Sequence, residues 1–228
     1  MELTNLQNSL NYTFKNEELL ITAVTHRSYL NEHKSASEHN ERLEFLGDAV
    51  LELIVTDYLY RTYPDSPEGE LTTWRSALVK GEHLAELANQ ITLGTYLRLS
   101  RGEAKSGGRE KAYLLANALE SVIGALYLDG GIAAAKNLIE TLILPRLTTI
   151  IATGAHIDAK SRLQELAQDR ANATPEYRVT HERGPDHAKE FTVTAFIAGK
   201  EEGHGSGPNK QAAEQAAAKE TLKKLGWS

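Results

Sequence analysis

The chain has 228 residues, 41% hydrophobic and 25% charged, with 25 Lys+Arg against 31 Asp+Glu and a formal net charge of -6. This length predicts one or two domains, and the composition excludes collagen-like, low-complexity and largely disordered classes. The absence of cysteine excludes disulfide scaffolds, thiolate zinc sites and cysteine nucleophiles.

The acidic balance is opposite to that of a simple basic nucleic-acid binder. The segment Met1-Glu2-Leu3-Thr4-Asn5 lacks the basic-then-apolar order of a signal peptide, and no run approaches ~18 consecutive apolar residues. The expectation is a protein without a membrane partner in a reducing, cytoplasmic setting.

Along the first ~150 residues apolar side chains recur at helical spacing, first through Leu19, Leu20 and Val24. A second helix opens near Glu41 and runs into the turn signals of Tyr63-Pro64-Asp65-Ser66-Pro67-Glu68-Gly69. Leu84, Leu87, Ala88 and Ile91 mark another helix, and Ser106-Gly107-Gly108 another turn. A long helix is predicted from about Lys111 to Leu128, stopping at Asp129-Gly130-Gly131, with a further helix from Ile132 to Ile151. Thr153-Gly154-Ala155-His156 reads as a linker.

The pattern then changes. Asp158 to about Arg170 reads as an amphipathic helix. Tyr177, Val179 and His181, then Phe191, Val193, Ala195 and Ile197, alternate with strand period. The stretch Gly203-His204-Gly205-Ser206-Gly207-Pro208 lacks the Lys-Ser/Thr ending of a phosphate loop and reads as a strand and turn. An Ala-rich helix spans Asn209 to Leu225. The fold class is an all-α N-terminal domain, residues 1–152, followed by a small α+β domain (α-β-β-β-α), residues 158–228, with helices on one face of an antiparallel sheet. Residues 158–228 carry 11 basic and 11 acidic side chains, so the acidic excess belongs to the helical part.

The helical part holds an unusual acidic stripe. Glu41, Glu44 and Asp48 fall at i, i+3 and i+7 and share one helix face, while Leu43, Leu46, Val50, Leu53 and Ile54 make the other faces apolar. A solvated charged face is the usual meaning of such a run. Between Leu43 and Tyr60, however, Glu44, Asp48, Glu52 and Asp57 occur without any Lys or Arg. Like charges at i,i+4 cost roughly 0.2–0.5 kcal/mol per pair. A divalent cation is the simplest compensation, and oxygen ligands suit Mg²⁺ or Mn²⁺ better than zinc. Asn117 and Glu120, at i and i+3 in another apolar helix, can complete such a site. Capping or surface exposure is the plainer reading of that pair. His26, His33 and His39 invite a histidine-pair ribonuclease mechanism, but no spacing joins two of them in one site.

The stretch Glu41-Arg42-Leu43-Glu44-Phe45-Leu46-Gly47-Asp48 resembles the signature of the ribonuclease III family. Thr25-His26-Arg27-Ser28-Tyr29, Glu68-Gly69-Glu70-Leu71-Thr72, the Arg101-Gly102-Glu103 to Gly107-Gly108-Arg109 segment and the helix with Glu120 extend the resemblance over nearly the whole chain. It implies a homodimeric, Mg²⁺-dependent endonuclease of double-stranded RNA that leaves 5′-phosphates and 3′-hydroxyls. It further implies Glu44, Asp48 and Glu120 as metal ligands, Asp48 and Glu120 as the catalytic pair, and Glu41 as a supporting carboxylate. Ribosomal and messenger RNA processing is the family-level expectation. One position departs: Asn117 stands where the family usually has Asp, an amide oxygen that can coordinate the ion but brings no charge.

Residues 158–228 resemble a double-stranded RNA-binding domain, on Ser161-Arg162-Leu163-Gln164-Glu165-Leu166, Gly184-Pro185-Asp186-His187 and Lys210-Gln211-Ala212-Ala213-Glu214-Gln215-Ala216-Ala217-Ala218. Such domains read A-form shape through 2′-hydroxyls and phosphates. The resemblance implies minor-groove contacts from Gln164, Glu165 and His187, and phosphate contacts from Lys210 at a helix N-terminus. Gln211 occupies a position where a second basic residue is common. Two rivals to the nuclease remain, a non-cutting scaffold that binds double-stranded RNA and a phosphohydrolase of small nucleotides.

Overall fold

Leucine, repeated every three or four residues, builds the first part of the chain into helices, as seen in a computed structural model that describes residues 3–34, 36, 38–153, 159–185 and 189–227. The helices are α1 (Thr4–Ser9), α2 (Glu17–Ala23), α3 (Arg27–Leu30), α4 (Glu41–Thr62), α5 (Glu68–Val79), α6 (Gly81–Gln90), α7 (Arg101–Lys105), α8 (Ala112–Leu138) and α9 (Arg146–Thr153). Polar residues set several starts. The Asn16 side chain accepts from the Glu18 N–H, and Ser100 Oγ accepts from the Glu103 N–H.

The core is a pairing of α4 and α8. Leu43, Val50, Leu51 and Ile54 of α4 are buried with Leu115, Leu119, Val122 and Ile123 of α8. Helices α6 and α2 also pack against α8. By length and mean hydropathy α8 and the turn after it are apolar enough to cross a membrane. Burial on several sides accounts for that composition, since a helix apolar all round is a core helix when other helices cover it. The stop predicted at Asp129-Gly130-Gly131 is a bend: Gly131 leaves helical backbone at φ 70°, ψ -170°, and the helix resumes after it. The Asp129 carboxylate accepts from Tyr12 Oη and from the N–H groups of Lys15 and Asn16, which fastens the N-terminal segment to this bend.

One sequence expectation for α4 needs correcting. Leu53 does not belong to a buried apolar face; it is 62% exposed, on an outer face shared with Phe45 (82%) and Tyr60 (73%). The linker reading at Gly154–His156 falls outside the described residues.

The chain divides into two units, Met1–His156 and Ile157–Ser228. The second contains α10 (Ala159–Ala171), strands β1 (Glu176–Arg183), β2 (Glu190–Ile197) and β3 (Lys200–Gly207), and α11 (Lys210–Lys224). The sheet is antiparallel in the order β1-β2-β3, with Val193 opposite both Val179 and Gly205. Helix α11 lies on β2 and β3, and α10 packs against α11. Edge strand β1 therefore stays largely exposed, and its predicted alternation buries little: Tyr177 is half-buried and Val179 is 39% exposed.

The glycine-rich stretch is the inner face of β3. A Cβ on Gly203 would stand 2.4 Å from Thr221 Oγ1, one on Gly205 2.1 Å from the Ala217 nitrogen, and one on Gly207 2.7 Å from the Ala213 nitrogen. Strand period (203, 205, 207) meets helix period (213, 217, 221), and α11 sits directly on the strand backbone. Gly205→Val forces that contact apart. Overpacking of this kind costs about 1–3 kcal/mol or more. The expected result is a lowered denaturant midpoint for the second unit with the helical unit's transition unchanged, read by tryptophan fluorescence of Trp227 against Trp74.

Candidate active site

The acidic stripe of α4 meets α8 because two glycines let the helix backbones touch. A Cβ on Gly47 would lie 1.8 Å from the Glu120 carbonyl oxygen, and one on Gly124 would lie 2.3 Å from the Leu43 carbonyl oxygen. No residue but glycine fits either position, and each contact adjoins an acid: Gly47 precedes Asp48, and Leu43 precedes Glu44. Ser121, fully buried, bonds the Asn117 carbonyl at 2.7 Å and the Asn40 carbonyl at 3.2 Å. The Asn40 N–H in turn donates to the Thr25 carbonyl at 2.9 Å. The start of α4 and the acid-bearing turn of α8 are thus fixed to each other.

Glu44, Asp48, Asn117 and Glu120 converge there. Glu44, Asn117 and Glu120 are half-buried, and Asp48 is exposed. The Asn117 side chain hydrogen-bonds Glu44. Burial, and then the charges of Asp48 and Glu44, push the Glu120 carboxyl up to about 7. Burial and the Glu41 charge also raise Glu44, against the Asn117 hydrogen bond, which favours its charged form. Among the described residues no ion pair engages Glu44, Asp48 or Glu120. The site is a cluster of oxygen donors whose negative charge the protein leaves uncompensated. Among the described residues no three His, Asp or Glu side chains are drawn tightly enough to hold a metal ion as they stand.

The remaining sequence candidates separate. Glu41 lies beside the cluster but pairs with Arg27, Nη1 to Oε1, at 3.2 Å. Asp57 belongs to the solvated-face reading, bonded to Arg61 at 2.7 Å. His26 caps α3 by accepting from the Ser28 N–H, His33 stacks on Tyr29 with ring centroids 3.9 Å apart, and His39 lies 3.9 Å from Glu41. His26 and His39 lie near enough for the His39 charge to act on His26, His33 is engaged with Tyr29, and among the described residues no hydrogen bond joins any two of the three. Sequence reasoning missed the Arg27–Glu41 pair and the Ser121–Asn40 link. A lone serine in the apolar run after Glu120 was the available signal for the latter.

In the second unit Gln164 and Glu165 are exposed on α10, Glu165 lying 3.5 Å from Arg162 Nη1. Lys210 and Gln211 are exposed in the first turn of α11, where Asn209 accepts from the Ala212 N–H at 2.8 Å. Lys210 Nζ stands 4.0 Å from Glu182. His187 lies outside the described residues.

With this geometry in hand, comparison with known proteins gives a consistent result. Residues 16–147 match a family model described as ribonuclease-III-like, and residues 159–225 match the double-stranded RNA binding motif. Ribonuclease 3 of Oceanobacillus iheyensis is 45% identical over 229 residues, covering 100% of both chains. Ribonuclease 3 of Syntrophotalea carbinolica is 44% identical over 96% of this chain and 95% of its own. A solved nuclease domain of ribonuclease III from Campylobacter jejuni, studied for flexibility in a region involved in dimer formation, is 42% identical with a TM-score of 0.59 and covers 63% of this chain and 97% of its own. The chain belongs to the ribonuclease III family of endoribonucleases.

The raised Glu120 carboxyl has a stability consequence. Its value of about 7 exceeds the ordinary 4.5, so between those values the folded chain holds a proton that the unfolded chain has lost. Stability contributed by that proton is complete below about pH 4.5 and is lost as pH rises through 7. Glu120→Gln removes this dependence. In EDTA the variant is expected to be more stable than the parent at pH 8, on the order of 2 kcal/mol, and equal at pH 4. Urea unfolding at the two pH values measures it.

Proposed function

We propose that this protein is a homodimeric, Mg²⁺-dependent endonuclease that hydrolyses double-stranded RNA to 5′-phosphate and 3′-hydroxyl ends, acting in the cytoplasm on ribosomal and other RNA precursors. The observation that carries the proposal is the junction of α4 and α8. It gathers Glu44, Asp48 and Glu120 with no basic partner, in a chain whose second unit matches a double-stranded RNA binding motif.

The donor set fits the ion. Three carboxylates and one amide offer only oxygen, the preference of Mg²⁺ and Mn²⁺ over zinc. A carboxyl pushed up to about 7 by burial, and then by the charges of Asp48 and Glu44, is a site where a cation's charge would be favourable. When bound, Mg²⁺ supplies a water of lowered pKa and a Lewis acid for the leaving 3′ oxygen. Glu44, Asp48 and Glu120 would hold it. Asn117 orients Glu44 through its hydrogen bond and leaves its own amide oxygen as a further, uncharged donor. Glu41, tied to Arg27, adds negative potential at the rim.

The exposed face of α4 supports the dimer. Phe45, 82% exposed, is part of the wall of a cleft of about 790 Å³ that Leu19, Leu43, Leu46 and Leu128 also line, together with Glu38, Glu41 and Arg42. An exposed aromatic ring on the wall of a partly apolar cleft is self-complementary in a two-fold pair. In the second unit Gln164, Glu165 and His187 are assigned to the minor groove, and Lys210 with Gln211 to phosphate. That unit carries no net charge, so binding leans on shape more than on phosphate neutralisation, and a single unit is expected to bind weakly. A dimer presents two such units and gains by avidity. The scaffold reading has Asn117 in its favour, since that residue lowers the site's charge.

A long perfect RNA duplex separates the two readings. With Mg²⁺ the parent chain is expected to yield short duplex products, and Glu120→Ala or EDTA to abolish cutting while leaving binding intact. Binding without cutting, even with Mn²⁺ at low salt, establishes the scaffold. In the same assay Asn117→Asp is expected to lower the Mg²⁺ concentration for half-maximal cutting several-fold, since one added negative charge at close range contributes roughly 1 kcal/mol or more.

A further inference from the structure

A second concave site lies in the helical unit and uses none of the acidic cluster. It is a cleft of about 390 Å³ lined by apolar Ile21 and Leu97, by Tyr29 and Glu17, and by two guanidinium groups, Arg98 and Arg109. This size falls in the range of small-molecule sites, roughly 300–1,000 Å³.

The arginines are built in. Arg98 donates to Thr25 Oγ1 at 3.3 Å and to Tyr29 Oη at 3.1 Å, with its guanidinium carbon 4.3 Å from the Tyr29 ring centroid. Arg109 donates from one nitrogen, Nη1, to the carbonyls of Gly94 and Thr95 at 2.9 and 3.0 Å. These partners are neutral. Among the described residues neither arginine belongs to an ion pair. Arginine has five donors, and these bonds use only two on each. Two half-buried, permanently charged groups therefore share one cleft with N–H donors to spare. The acid in the lining, Glu17, is exposed and accepts a hydrogen bond from Gln7 Nε2 at 2.9 Å.

We infer that this cleft binds a phosphate monoester carrying a weakly polar body, with a nucleoside 5′-monophosphate as the type ligand. Planar guanidinium forks match phosphate oxygens in paired hydrogen bonds, which selects phosphate over a simple halide. The apolar lining, with Ile21, Val24 and Leu97, suits a weakly polar body, while the Tyr29 ring, already engaged by Arg98 and His33, holds the Arg98 guanidinium in place. The inference is independent of the acidic site, and metal is not needed for it. The same chemistry is offered by a free nucleotide and by the 5′-phosphorylated end of an RNA strand.

NMR on the full chain in EDTA tests it, following the Ile21 and Leu97 methyls and the arginine Nε–H signals. Adenosine 5′-monophosphate is expected to shift these resonances in the millimolar range or below, and adenosine to leave them unmoved. A 5′-phosphorylated tetraribonucleotide that outcompetes the mononucleotide identifies the RNA end as the source. Equal binding identifies the free nucleotide. Arg109→Gln and Arg98→Lys are each expected to weaken binding about tenfold or more, as loss of paired charge-assisted bonds does. Arg109 bonds only two backbone carbonyls here, so that variant keeps the fold, and methyl dispersion verifies it. The inference is overturned if no shift appears up to about 10 mM, if adenosine acts like its monophosphate, or if both folded variants bind as the parent does.

Discussion

The structure depends on a contact between two backbones. Helices α4 and α8 approach until only glycine fits at 47 and 124, and this places Glu44, Asp48 and Glu120 side by side. The arrangement holds because packing outweighs repulsion. Two carboxylates 4 Å apart near a surface repel by about 4 kcal/mol at an effective dielectric of 20. Each buried leucine, isoleucine or valine of the pair contributes roughly 1.5–3 kcal/mol, and at least eight such residues line it. The apolar core sets the position of the helices, and the acids are held in a place they would otherwise leave. The raised Glu120 carboxyl reflects its burial first and its acidic neighbours second.

The second unit repeats the device with different chemistry. Gly203, Gly205 and Gly207 let α11 rest on β3, where bulkier residues would hold it away. The helix is fixed there by alanines and Thr221, so its first turn, with Lys210 and Gln211, is a rigid presentation of polar groups. In both units glycine acts as the absence of a side chain at a helix contact. The polar groups so positioned carry the proposed chemistry.

Much of this was legible in the sequence. Acids isolated in apolar runs exposed α4 and α8 as a pair, and the glycine-rich stretch without a phosphate-loop ending read as the strand that is β3. The eight-residue signature carried the family. What was not legible depends on contacts between distant segments. Leu53 fits an apolar pattern on α4, but the outer face is decided by where α8 lies. Strand β1 alternates as a buried strand does, yet α11 covers its neighbours instead. Asp57 continues the acidic run but has Arg61 one turn later, a pair that the stripe argument stopped short of. The hydrogen bond from Asn117 to Glu44 follows from the helix approach and could not be read from either residue alone.

If the carboxylates of α4 and α8 hold a divalent cation as proposed, Glu120 gives up a proton on binding. Calorimetric titration of Mg²⁺ near pH 7, repeated in buffers of different ionisation enthalpy, tests it most directly. The expected result is binding with release of a fraction of a proton, no release at pH 8.5, and loss of the buffer dependence in Glu120→Gln. Binding with no buffer dependence at pH 7, or Mg²⁺ binding unchanged in Glu120→Gln, would contradict it.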